Sequence, residues 1–143
     1  MPQEAMAIYQ DFLDRTSDAV ISGDAEGFLR HVHLPHQIVT ENGIIEVADM
    51  TAARRHFDGF AGALRAAGAD SYVRTAQSAS FIVSDRILGR HIAHITAGGK
   101  LVTPAFENEM EIEMRDTVWG MSWVLHRVHA VGWPDILPQE ENE

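Results

Sequence analysis

Ile87-Leu88-Gly89-Arg90-His91-Ile92-Ala93-His94-Ile95-Thr96, a turn at Gly98-Gly99, and then Leu101 onward to Glu107-Asn108-Glu109-Met110-Glu111-Ile112-Glu113-Met114-Arg115 read as one long β-hairpin. From Glu107 to Met114 the pattern has period two: Glu107, Glu109, Glu111 and Glu113 on one side, Asn108, Met110, Ile112 and Met114 on the other. One face is solvated and the other is packed. A two-residue Gly-Gly loop in a primed turn sets Thr96 opposite Leu101, and counting outward puts His91 opposite Phe106, Arg90 opposite Glu107, Gly89 opposite Asn108 and Ile87 opposite Met110. The packed face then carries only two polar groups, His91 and Asn108. Pro104 has no N–H to give a ladder and marks a place for a bulge.

A second tight loop at Asp116-Thr117 brings in a third strand, with Trp119 beside Met114, Met121 beside Ile112, Trp123 beside Met110 and Leu125 beside Asn108. The opposite face gathers Arg90, Glu107 and His126 as a charged cluster. Arg127 and His129 fall on the apolar side, near Phe106, at the mouth of a pocket.

Walking back to the start of the chain, Ala5, Ile8, Tyr9, Phe12, Thr16, Ala19 and Val20 form a stripe at helical spacing from about Gln3 to Ser22, and Gly23 ends it. Asp24 caps a short second helix carrying Phe28, Leu29 and Val32, which Pro35 stops. Gln37 to Val47, with Asn42-Gly43 at its centre, reads as a hairpin pairing Thr40 with Ile45 and Ile38 with Val47, and His36 shares that apolar face. Asp49 or Thr51 caps a helix to about Ala67 with Met50, Ala53, Phe57, Phe60 and Leu64 buried. His56 sits on the edge of that stripe. Ser71 to Ser84 is another long strand whose parity the loop Ser84-Asp85-Arg86 leaves open. The order is helix, helix, hairpin, helix and then long strands, an α+β domain with helices on one face of a curved sheet.

The 143 residues suit one domain, and 45% hydrophobic composition suffices for one core. We expect a single domain over residues 1–133 and a disordered acidic tail over 134–143. The chain has no cysteine, which removes disulfides, thiol nucleophiles and cysteine zinc sites. No segment approaches the roughly 20 apolar residues of a membrane span, and the N-terminal residues lack a signal-peptide pattern, so a cytoplasmic protein with no membrane partner is expected. A net charge of −10, with 11 basic against 21 acidic residues, argues against nucleic acid.

His33-Leu34-Pro35-His36-Gln37-Ile38-Val39-Thr40-Glu41-Asn42-Gly43, the helix after it and the closing strands around Trp119 resemble the nuclear transport factor 2-like superfamily, with SnoaL-like bacterial proteins nearest. The resemblance covers roughly Ala5 to Val131 and lies in element order and turn placement. It implies a cone-shaped, curved, mostly antiparallel sheet wrapped around N-terminal helices with an internal pocket, and a homodimer through the outer sheet face. Cyclases, dehydratases, isomerases, epoxide hydrolases and non-catalytic binders share that fold, so it sets no function alone. The isomerases need a pocket carboxylate, and the inner face read above has none.

No P-loop, nucleotide-binding glycine fingerprint, G-x-S-x-G or H-E-x-x-H pattern occurs. His91 and His94 point to opposite faces of their strand, as do His126 and His129, so neither pair chelates one ion. His31, His33 and His36 straddle a helix end and a proline and are read as surface or capping imidazoles. No metal and no cofactor are expected. The candidate catalytic pair is His91 and Asn108, with Tyr9, Phe12, His36, Phe60, Phe106, Met110, Trp123 and Arg127 as substrate-binding groups around a small apolar ligand. In one reading His91 and Asn108 satisfy each other and are structural. In the other, neutral His91 is a general base beside a carbonyl or hydroxyl and Asn108 donates to the oxyanion. Two functions follow: a cofactor-independent proton-transfer enzyme of cyclase, dehydratase or isomerase type, or a non-catalytic dimeric ligand-binding or accessory domain.

Overall fold

A computed structural model describes residues 2–40 and 43–127; the tail at 134–143, His129 and Val131 lie outside them. Helix α1 spans Pro2–Ser22. Its stripe is buried as the spacing requires, with Ala5, Tyr9, Phe12, Leu13, Thr16, Ala19 and Val20 all covered. Each large apolar side chain here is worth roughly 1.5–3 kcal/mol of burial. Asp24 accepts from the Gly27 N–H and starts α2, Ala25–Leu29. This helix is shorter than its apolar residues suggest, because Val32 already belongs to a strand. Helix α3, Met50–Ala66, begins at Asp49, whose carboxylate accepts from Ala52 N–H, and the chain turns away at Gly68 with φ +73°. Met50 is exposed rather than buried, since the first turn of α3 overhangs the core.

Strand β1, Val32–Thr40, pairs antiparallel with β2, Gly43–Val47. The hairpin register is Thr40 with Gly43, Ile38 with Ile45 and His36 with Val47. Its partners are two residues away from those that Asn42-Gly43 as the loop would give, because Gly43 is taken into the strand. A shift of two preserves parity, so His36 and Ile38 still share the buried face.

The long strands are β3 (Ser71–Val83), β4 (Arg86–Ala97), the two-residue β5 (Lys100–Leu101), β6 (Phe106–Arg115) and β7 (Val118–Arg127). They join the first hairpin in one curved sheet of order β2-β1-β7-β6-β4-β3, with β5 on β4, antiparallel except where β1 meets β7. Near Gly98-Gly99 the pairing is as expected, Thr96 with Leu101. Residues 102–105 then leave the ladder around Pro104, and the register resumes two residues later. His91 therefore pairs with Asn108, Arg90 with Glu109, Gly89 with Met110 and Ile87 with Ile112. The expected partners were wrong by two, and the faces were right because two is even.

Strand β7 differs in a way that parity does not forgive. Trp119 pairs with Met114 and Met121 with Ile112, but Ser122 is an extra residue, and beyond it Trp123 pairs with Glu111, Val124 with Met110 and His126 with Asn108. Trp123 thus leaves the pocket face and Val124 takes its place. Arg127 pairs with Glu107 rather than taking the apolar phase; the side chains of His126 and Arg127 lie outside the described residues. Glu113, expected among solvated acids, is buried, held by Arg86 at 3.1 Å and by Arg115, while Met114 is partly exposed.

The core fills the hollow of the sheet in two clusters. One centres on Tyr9, Leu13, Ile87, Met110 and Ile112, the other on Phe57, Phe60, Tyr72, Ile95 and Phe106. Gly89 lets the helix seat against the sheet: a Cβ there would come within 2.4 Å of the Tyr9 ring. At Gly120 the imidazole of His33 occupies the equivalent space, 2.6 Å from where a Cβ would stand.

Candidate functional site

Between α2, α3 and the concave sheet face lies a cavity of about 80 Å³. That is well below the roughly 300–1,000 Å³ of pockets for drug-sized ligands and fits a small organic molecule or a few waters. Phe28 of α2, Phe57 and Phe60 of α3, Ile38 of β1, and Met110 and Val124 of the sheet give it apolar walls. Six polar side chains break this lining: His36, His56, Tyr72, Arg74, His91 and Asn108.

His91 stands on the inner face of β4, 1% exposed. The Tyr9 hydroxyl lies 2.7 Å from its Nδ1, and Asn108 Nδ2 lies 3.5 Å from its Nε2. Tyr9 reaches across because Gly89, two residues from His91 on the same strand, leaves room for its ring. Burial raises the Tyr9 phenol well above its ordinary range, so its proton stays on at any physiological pH. With Asn108 donating to Nε2, the ring carries its proton on Nδ1 and donates to the tyrosine oxygen; rotation of the amide reverses the chain. Either way, the imidazole orientation is fixed from both sides.

His36 is 6% exposed, and among the described residues its Nδ1 has no hydrogen-bond partner. Burial, with His56 adding repulsion, lowers its pKa to about 4, against the pull of the Met121 and Ser122 backbone. It is a neutral imidazole at neutral pH. His56, half-buried on α3, is also lowered, by burial first and by Arg55 second.

Tyr72 and Arg74 come from β3, whose parity the sequence left open. Pairing of Tyr72 with Ile95 and Arg74 with Ala93 turns both inward. Arg74 packs over the Tyr72 ring, 5.0 Å from its centroid, and donates to Ser17 Oγ at 2.8 Å, to the Leu13 carbonyl at 3.0 Å and to Thr16 Oγ1. Burial raises the Tyr72 phenol, with Arg74 opposing.

Of the residues read from sequence, the structure brings His91, Asn108, His36, Phe60 and Met110 to the cavity wall. Tyr9 sits behind His91 as its partner. Phe12 is buried against His31, ring centres 5.6 Å apart, and lines a surface groove with Trp119 rather than the cavity. Phe106 is core rather than lining. Trp123 is turned out by the bulge. His31 and His33 bond to the Trp119 and Val118 carbonyls of β7. Sequence reasoning missed Arg74, Tyr72 and His56. The signal for the first two was the alternation Tyr72-x-Arg74-x-Ala76, an arginine in the apolar phase of a strand.

No protein-family profile and no curated protein matches the sequence. Solved structures do match in shape. A domain of unknown function with a cystatin-like fold from Nostoc punctiforme superposes with TM-score 0.65 at 14% identity, over 88% of this chain and 78% of that one. A nuclear transport factor 2-like protein with a cystatin-like fold from Novosphingobium aromaticivorans gives 0.65 at 14%, over 93% and 87%. A nuclear transport factor 2-like superfamily protein from Salmonella enterica gives 0.62 at 9%, over 98% and 95%. Likeness at such identities shows the fold and leaves the chemistry to the residues themselves.

Proposed function

We propose that this chain, which has the nuclear transport factor 2-like, cystatin-like fold, is a SnoaL-like small-molecule-binding domain that acts without a cofactor on an apolar carbonyl or hydroxyl compound by proton transfer. The observation that carries the proposal is the hydrogen-bonded series Tyr9–His91–Asn108, which fixes a buried imidazole at the wall of a mostly apolar cavity. In the tautomer that donates Nδ1–H to Tyr9, Nε2 accepts from the Asn108 amide 3.5 Å away; when that amide swings to the developing oxyanion, the Nε2 lone pair takes the proton beside the carbonyl. Tyr9 holds the ring in place and, as a hydrogen-bond partner of Nδ1, shares the charge that appears on it.

A second reading, a non-catalytic dimeric ligand-binding or accessory domain, draws on one feature: among the described residues no aspartate or glutamate lines the cavity. Thermal melts against small ketones, phenols and fatty acids test the common part, since a ligand that binds only the native state raises the melting temperature. A compound from that set should do so, and His91→Ala should abolish its conversion while binding persists. No shift with any of them would overturn both readings; binding without conversion would leave the second.

Assembly belongs to the same proposal. The outer sheet face exposes Val73 and Leu88 beside the Arg90–Glu107 ion pair at 3.5 Å, a mixture suited to a homodimer interface. Val124 is not part of that face: it lines the cavity. A cysteine-free chain suits the reducing cytoplasm.

A further inference from the structure

Arg74 is a buried cation whose partners carry no charge. It is 6% exposed, and its bonds, from Nε and Nη2, all go to neutral oxygens of α1. Among the described residues no carboxylate pairs with it, and Nη1 takes part in none of its bonds. Withdrawing a guanidinium from water is costly unless an opposite charge meets it. The chain as a whole carries 21 acidic residues, yet among the described residues none lines the cavity that Arg74 borders. The folded protein therefore keeps a positive charge at the edge of a small apolar chamber. Tyr72, whose ring lies under the guanidinium, borders the same chamber with a phenol that is a hydrogen-bond donor.

We infer that the ligand of this cavity is anionic: a small monocarboxylate with a compact apolar body, its carboxylate received by Arg74 with the Tyr72 hydroxyl as second donor. The inference rests on the cavity being a ligand site and adds the charge of what it takes. A single guanidinium and a chamber of about 80 Å³ suit one carboxylate better than a phosphate dianion. The aromatic wall of Phe28, Phe57 and Phe60 accounts for the apolar remainder.

The test compares matched pairs on the unaltered full-length protein: isobutyrate with isobutyramide, and benzoate with benzamide, at constant ionic strength and pH 7.5. Melting temperature and calorimetric Kd are read, together with the side-chain Nε–H resonance of Arg74 by NMR. The acids should bind about tenfold or more tighter than their amides, the range of a charge-assisted hydrogen bond, and should move the Arg74 resonance. Arg74→Met should abolish the preference. Because Arg74 also ties β3 to α1, that variant has a structural role to lose, so the acid-against-amide comparison on the wild type decides. Amides binding as tightly as acids would overturn the anionic ligand and leave the ligand site standing. Neither class binding would overturn the site itself.

Discussion

The Tyr9 hydroxyl lies 2.7 Å from His91 Nδ1, joining the first helix to the middle of the sheet through a hydrogen bond. Tyr9→Phe keeps the ring over Gly89 and deletes only that bond. A buried nitrogen left without its partner costs about 1–3 kcal/mol, so the variant should melt several degrees lower. An unchanged urea midpoint would show the bond to be energetically idle.

Stability should fall on mild acidification. His36 has a folded pKa of about 4 against an ordinary 6.5, so the unfolded chain binds the extra proton between those values and stability is lost as pH drops through the window. It is fully present above pH 6.5, and the total loss below pH 4 is roughly 3 kcal/mol. Chemical denaturation at pH 7.5, 6 and 5 should show the slope, and His36→Gln should flatten it relative to wild type. Parallel slopes would place the proton elsewhere.

Gly89→Ala should be damaging for a reason local to one ring. The new methyl would sit 2.4–2.6 Å from three Tyr9 carbons, and that ring is pinned by His91. The expected loss is about 1–3 kcal/mol, read as a lower melting temperature. Combined with Tyr9→Leu it should cost less than the sum of the two single changes; strict additivity would mean that the two sites do not touch.

In light scattering at micromolar concentration the protein should have twice the mass of one chain, and Leu88→Glu should halve it. A monomeric wild type would remove the dimer.

Deleting the residues after Pro138 should leave the melting temperature unchanged. A drop of several degrees would show that this acidic segment packs on the domain.

Element order and strand faces were legible because period-two and helical stripes respond to burial directly, as Tyr9, Ile87 and Met110 illustrate. Pair partners were less so. The excursion around Pro104 and the loop before Gly43 each shifted a register by an even number, and His91 and Asn108 kept their face while changing neighbours. Ser122 shifted by one, and Trp123 was lost from the pocket. Arg74 escaped because the alternation Tyr72-x-Arg74-x-Ala76 is short and runs into the polar Gln77-Ser78, so the buried phase is not fixed until the turn at Ser84-Asp85 is placed against β4.

The extra residue at Ser122 makes strand β7 a composite: its first half obeys one alternation and its second half the other. A substitution scan along β7 should therefore show its tolerance pattern jump phase between Met121 and Trp123. For evolution, this is a coarse control beside the fine one of single replacements. Straightening the bulge, so that Ser122 enters the ladder opposite Glu111, would exchange Val124 for Trp123 at the chamber wall and re-furnish half the strand in one step, whereas the same change made residue by residue would have to pass through a core that fits neither arrangement.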